Sequence, residues 1–372
     1  MKRLVSLLIT ALVAISASAQ VPNGFYRVKC KETGRYLAVH NSYVNTESAK
    51  NTGQVDMQSL ETVAGFDNVV NDPGSVLYLR NISGGYAIEA QGFTTDRKQL
   101  KLNLIAVGDA YRIEARIVYD GEQYIRYLRD YGEDGKSYVT TDAIKSPNQN
   151  WYVIPISEDN YFGLKGDVKV GNSYYTNTYA TFPFELGEGM KAYAVNTLTD
   201  NSCTLKDIGS VVPAKTPVVI ECVDDDAAAN KVKPLTESSA TVGDNKLTGV
   251  IFCYPVLTPT GQERRSNPAW NCVDYDAAKM RILDVADNKL CFVASGSLAF
   301  IPANSVYLPV ATGTPDIIPT DGTTGITGVK NDATKANKAK GTFTLNGVRL
   351  PDGVTPQKGM YIQDGKVVVI KP

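Results

Sequence analysis

Short strands that read aromatic and then apolar recur through the first 156 residues, and their recurrence constrains the fold more than anything else in the chain. They are "FYRVK" with Tyr26, "LYLRN" with Tyr78, "AYRIE" with Tyr111 and "WYVIP" with Tyr152, spaced by 52, 33 and 41 residues. The first three are each followed, 8 to 13 residues on, by a second tyrosine strand after a glycine-bearing turn: "TGRYLAV", "SGGYAIEA" and "DGEQYIRYL". A unit of about 40 residues with one apolar face cannot bury that face alone, so three units closing on one another share a single core. Trp151, in the closing strand, is expected in that core.

The stretch "GFYRVKCKETGRYLAV" and the triplet Gln149-Asn150-Trp151 carry a resemblance to the ricin-type β-trefoil lectins, spanning residues 20–156. The Gln-x-Trp signature survives once; the matching places earlier read Ser75-Val76-Leu77 and Asp109-Ala110-Tyr111. The resemblance implies a sugar site in which an acid accepts hydrogen bonds from vicinal hydroxyls and a nearby ring stacks on the sugar. Ala38 stands at the acid position of the first repeat and Arg126 near that of the third, so only Glu89 in "YAIEAQGF" keeps an acid. Gln91, Phe93 and Asn103 are the residues expected to complete a glycan pocket around it. The competing reading makes Glu89 a solvated strand residue and Phe93 a local packing group.

The leader "MKRLVSLLITALVAISASAQ" has the basic start, apolar middle and Ala17-Ser18-Ala19 pattern of a secretory signal peptide, residues 1–19. Its apolar part falls short of the roughly 20 residues that cross a bilayer, and no later stretch reaches that length, so no transmembrane segment is expected. An exported chain, extracellular or on the outer cell surface, follows. Loss of Lys2 and Arg3 moves the formal charge from −1 to −3. Nucleic acid is not an expected partner, because phosphate binding needs a concentrated basic face.

The absence of long helix-periodic segments, with 21 Tyr, 31 Gly and 18 Pro, predicts an all-β chain: an N-terminal β-trefoil, a β-sandwich-like module and a short C-terminal hairpin tail. Residues 158–311, where "VVPAKTPVVIE" is echoed by "AFIPANSVYLPV", resemble a sandwich-like module common in exported multidomain proteins of Bacteroidota. Residues 312–340 read as a flexible linker. Residues 341–372 end in "KGMYIQDGKVVVIKP", which resembles a shortened C-terminal sorting domain of the type IX secretion pathway, with Asp364-Gly365 as a hairpin turn.

Catalysis has little to work with. The one histidine, His40, reads as a surface turn residue, and neither a Gly-x-Ser-x-Gly elbow nor a His-Glu-x-x-His helix occurs. A carboxylate pair acting on glycosides needs neither, so a glycoside hydrolase stands as a third reading. Of six cysteines, Cys30 is alone in the first module and Cys203, Cys222, Cys253, Cys272 and Cys291 lie in the second. They read as buried thiols with at most two bridges, Cys203 with Cys222 being the first to consider. The acidic stretches Asp130 to Lys136 and Asp224 to Asp226 lack EF-hand spacing and read as solvated turns, so no metal and no cofactor is expected. The leading expectation is a secreted or surface-held, non-enzymatic protein that binds a glycan or glycoprotein surface; the alternative is a structural or protein-interaction protein whose trefoil has lost sugar binding.

Overall fold

A computed structural model describes residues 20–39, 60–91, 93–95, 101–119, 121–131, 139–144, 146–251, 273–321, 342–344, 359–363 and 366–370. Contacts divide the chain into two units, Met1–Thr323 and Thr324–Pro372. The described residues are almost entirely β, and none of their helices is long and apolar enough to cross a membrane.

The first eleven strands are β1 (Gly24–Cys30), β2 (Tyr36–Val39), β3 (Leu60–Val63), β4 (Leu77–Ile82), β5 (Gly85–Ala90), β6 (Phe93–Thr94), β7 (Lys101–Val107), β8 (Ala110–Tyr119), β9 (Glu122–Asp130), β10 (Val139–Asp142) and β11 (Asn150–Pro155). Alternation drives them: on β4, Leu77 and Leu79 are buried while Tyr78 and Arg80 are only partly so, and on β5, Tyr86, Ile88 and Ala90 turn into the same core. Six of them pair in a closed circuit, β1 with β4, β4 with β5, β5 with β7, β7 with β8, β8 with β11 and β11 back to β1. Closure leaves no free edge around the ring. The other strands are arms: β2 and β3 beside β1, β6 beside β5, β9 and β10 beside β8.

Trp151 is fully buried in the ring core, its backbone opposite Cys30 on one side and Tyr111 on the other, and its indole Nε1 donates to Leu128 O at 3.1 Å. The repeat units fall differently from the sequence pattern. Arms leave from β1, β5 and β8, so the Tyr78 strand stands between two arm-bearing strands instead of starting a repeat. Tyr78 and Tyr86 read alike because both strands are ring strands sharing one core.

The next fourteen strands are β12 (Phe162–Gly163), β13 (Val168–Val170), β14 (Ser173–Thr178), β15 (Phe184–Leu186), β16 (Lys191–Leu198), β17 (Cys203–Asp207), β18 (Val211–Val212), β19 (Val218–Cys222), β20 (Lys231–Pro234), β21 (Thr248–Gly249), β22 (Met280–Ala286), β23 (Lys289–Val293), β24 (Val306–Pro309) and β25 (Ile317–Asp321). They form a sandwich-like pair of sheets, one of four strands (β12-β20-β15-β18) and one of ten (β13-β14-β19-β16-β17-β25-β23-β22-β24-β21). Strand β19 shows why two cores form: Val218, Ile220 and Cys222 enter the layer between the sheets with Phe162 and Phe184, whereas Val219 points to the other face with Tyr193 and Phe292.

Three expectations need correction here. Ile317–Asp321, placed in a linker, is strand β25, antiparallel to β23 and parallel to β17, with Ile318 fully buried. Five residues with two adjacent isoleucines can cover one more strand width, although the Thr, Gly and Asp around them hide that signal. The pair Cys203–Cys222 does not form, because β16 lies between β17 and β19. Two strand spacings, about 9.6 Å, exceed the reach of a disulfide. Cys30, Cys222 and Cys291 are buried thiols, and burial, with the nearby charges of Asp167 and Glu221, pushes the Cys222 thiol up to about 12. Asp130, read as part of a solvated acidic turn, is instead fully buried at the end of β9, accepting from Thr33 Oγ1 at 2.6 Å and Thr62 Oγ1 at 2.7 Å. His40, Cys253, Cys272 and residues 132–136 lie outside the described residues.

The second unit contains β26 (Thr342–Thr344), β27 (Gly359–Gln363) and β28 (Lys366–Ile370), an antiparallel three-stranded sheet. Register Gln363↔Lys366 ends the pairing of β27 with β28; Asp364 and Gly365, the expected hairpin turn, lie outside the described residues.

Candidate binding site

The four residues expected around a glycan in the first module do not converge. Glu89 lies opposite Tyr78, and one of its carboxylate oxygens, Oε1, accepts from Arg80 through both Nε at 3.0 Å and Nη2 at 2.9 Å. Asn103 is on β7, where register Tyr86↔Leu102 sets it beside Gly85, four residues from Glu89 and about 13 Å along the strand. Its Nδ2 donates to Glu114 Oε1 at 2.8 Å. Phe93 pairs through its backbone with Ala90, and its side chain lies outside the described residues.

Gln91 is the largest departure. It is fully buried, adopts φ +39°, and its amide is directed at the second module. Nε2 donates to Tyr179 O at 2.9 Å and Asn304 Oδ1 at 2.7 Å, while Oε1 accepts from Thr181 N at 2.7 Å and Thr181 Oγ1 at 3.0 Å. A side chain with its donors and acceptor so engaged has no capacity left for a ligand.

The same contacts frame a cleft that the sequence did not indicate. Asn304, itself at φ +61°, passes the connection on: its Nδ2 donates to Asp72 Oδ1 at 2.8 Å. Asp72 precedes the single helical turn Pro73–Ser75 and also accepts from Gly74 N at 2.7 Å. Between this chain of contacts and the edge of β14 opens a cavity of about 460 Å³. Its floor is Leu164, Thr176, Thr178 and Val306, all buried. Its rim carries the exposed side chains of Asn68, Asn71, Lys165 and Asp167. Lys165 Nζ crosses to Asp67 O at 2.9 Å, a second tie between the ring and the sheets. Junctions between packed modules are a common place for such pockets.

The rim mixes amide donors and acceptors with a carboxylate that only accepts, a set able to meet hydroxyls of either sense. Among the described residues no aromatic ring lines the cleft, so the stacking platform implied by the lectin resemblance is not found among them. Behind the wall formed by residues 66–75 lies a buried cation: the Arg27 guanidinium donates to Ser75 Oγ, to Val70 O at 3.3 Å and to Tyr161 O at 2.9 Å, with its carbon 5.4 Å from the Phe66 ring centroid. Burial pulls its pKa down to about 10, against the opposing pull of the Asp72 charge. Arg27 therefore holds the 66–75 segment in place as one cleft wall. Among the described residues no group of His, Cys, Asp and Glu is arranged to hold a metal. Compared with protein-family models, with curated proteins and with solved structures, the chain has no match.

Proposed function

We propose that this chain is an exported, non-enzymatic binding protein that takes a hydroxyl-rich ligand, a glycan, in the cleft between its ring and its sheets. The observation that carries the reading is the rim itself, where Asn68, Asn71 and Asp167 present hydrogen-bonding groups over a buried floor of Leu164, Val306 and two threonines in a cavity of about 460 Å³. The closed ring with three arms agrees with the trefoil resemblance but not with its repeat-two site, since Glu89 is paired with Arg80 and Gln91 is committed to the junction. A hydrolytic role fits less well, because Asp72 already accepts from Gly74 and Asn304 and is held as an acceptor. Export rests on residues 1–19, which lie outside the described residues.

Calorimetric titration of the full chain with a panel of oligosaccharides tests this. Solvent-exposed hydrogen bonds contribute about 0.5 to 1.5 kcal/mol each, so affinity near millimolar is expected. Asn71→Ala and Asp167→Ala should each weaken binding about tenfold, the upper part of that range, without shifting the thermal midpoint. If no saccharide binds, the reading fails. If Glu89→Ala loses binding and the cleft variants keep it, the site belongs in the ring and not in the cleft.

A further inference from the structure

The arm formed by β8 and β9 ends in a strand edge that no described strand covers. Strand β7 pairs with β8 only as far as Lys101↔Arg116, and β10 joins β9 only from Tyr127 onward. Beyond those points β8 and β9 continue alone, from Arg116↔Ile125 to Tyr119↔Glu122, and Gly121 at φ +78° supplies the tight turn. All five residues Glu122–Arg126 are exposed, Ile125 to 48% and Tyr124 to 37%. An uncovered edge with exposed apolar side chains is a template for another strand.

The side chains on this edge say which strand. Glu122, Tyr124 and Arg126 share one face: Tyr124 Oη donates to Glu122 Oε2 at 2.9 Å, and the Arg126 guanidinium carbon lies 5.9 Å from the Tyr124 ring centroid. The order is acid, aromatic, base. A second copy running antiparallel about a two-fold axis through Tyr124 sets Glu122 opposite Arg126 twice, whereas a parallel copy sets Glu122 beside Glu122. The backbone agrees with the antiparallel choice. In a hairpin with a two-residue connection the flanking pair is hydrogen-bonded, so Glu122, Tyr124 and Arg126 face β8, and Gln123 and Ile125 turn their N–H and C=O groups outward. Those are the two residues that the two-fold pairs with each other. The geometry points to self-association of this protein through β9, an isologous antiparallel edge centred on Tyr124.

An edge of five residues is far smaller than a standard interface, so the dimer is weak, with a dissociation constant on the order of 0.1 mM. Sedimentation equilibrium of the full chain up to about 1 mM covers that range. Glu122→Arg and Arg126→Glu each turn two attractive pairs into two repulsive ones and should weaken the dimer about tenfold. The double reversal restores opposite charges at both positions and should return the constant to within about threefold of the parent. Ile125→Pro, which removes an outward N–H without touching the β8 pairing, should abolish the dimer while leaving the circular dichroism unchanged. A parent that stays monomeric, a single reversal that has no effect, or a double reversal that associates no better than the single ones overturns the assignment.

Discussion

Trp151 is the clearest single-residue determinant. Three ring strands meet at it, since its own strand pairs with β1 and β8 and its indole N–H is satisfied by Leu128 O. Truncating a fully buried tryptophan removes a large apolar surface and leaves a cavity, because the surrounding structure relaxes only partially. Trp151→Ala should cost about 3 to 5 kcal/mol in a denaturant titration, and a loss under about 1 kcal/mol would contradict the shared-core assignment. The glutamine two positions before it behaves otherwise: Gln149 Nε2 donates to Ala143 O at 2.7 Å, tying down the entry to the strand and not a ligand. Cys222 illustrates how burial decides chemistry, because a thiol pushed up to about 12 carries almost no thiolate at neutral pH.

Among the elements, the β7–β8–β9 face is organised around Glu114. Its carboxylate accepts from Asn103 Nδ2 and from Arg116 Nε, both at 2.8 Å. Burial alone would raise its pKa, but the Arg116 and Asn103 hydrogen bonds outweigh it and hold the group below the usual glutamate range. A depressed folded-state pKa contributes stability above the unfolded-state value and loses it as pH falls through the folded one. Glu114→Gln should therefore be less stable than the parent at pH 7, with the gap closing as chemical denaturation is repeated at pH values below about 4.5. An unchanging gap across that range would mean the carboxylate charge has no part in holding the three strands. Gly85 makes a different contribution on the neighbouring strand: at φ +152° it lets Leu102 O approach within 2.5 Å of where a Cβ would stand, so β5 and β7 can close the ring.

At the scale of the whole molecule, the ring and the two sheets act as one unit because polar side chains cross the boundary at Gln91, Asn304 and Asp72 while Phe25 and Val76 enter the sheets' core. Removing the Gln91 amide leaves Thr181 N and Asn304 without that partner, which costs about 1 to 3 kcal/mol for each buried group left unsatisfied. Gln91→Ala also retains a side chain at positive φ, whereas Gln91→Gly does not; the thermal midpoint should fall for both and further for Ala. If neither variant is less stable, the junction does not depend on this contact. Two-residue alternation and turn glycines made the strands and their all-β class legible in the sequence, because those properties depend on neighbours only a few positions apart, while the recurrence of such strands along the first 156 residues pointed to a buried Trp151. The sequence also marked Glu89, Gln91, Phe93 and Asn103, but it could not show that Arg80 neutralises the first, that Gln91 turns toward Tyr179 and Asn304, or that Asn103 lies at the far end of its strand pair. Those outcomes depend on register and on contacts across as many as 213 residues of chain. The cleft was invisible for the same reason: Asn68 and Asn71, Asp167, and Asn304 come from three separate segments, and only their packing puts them around one cavity.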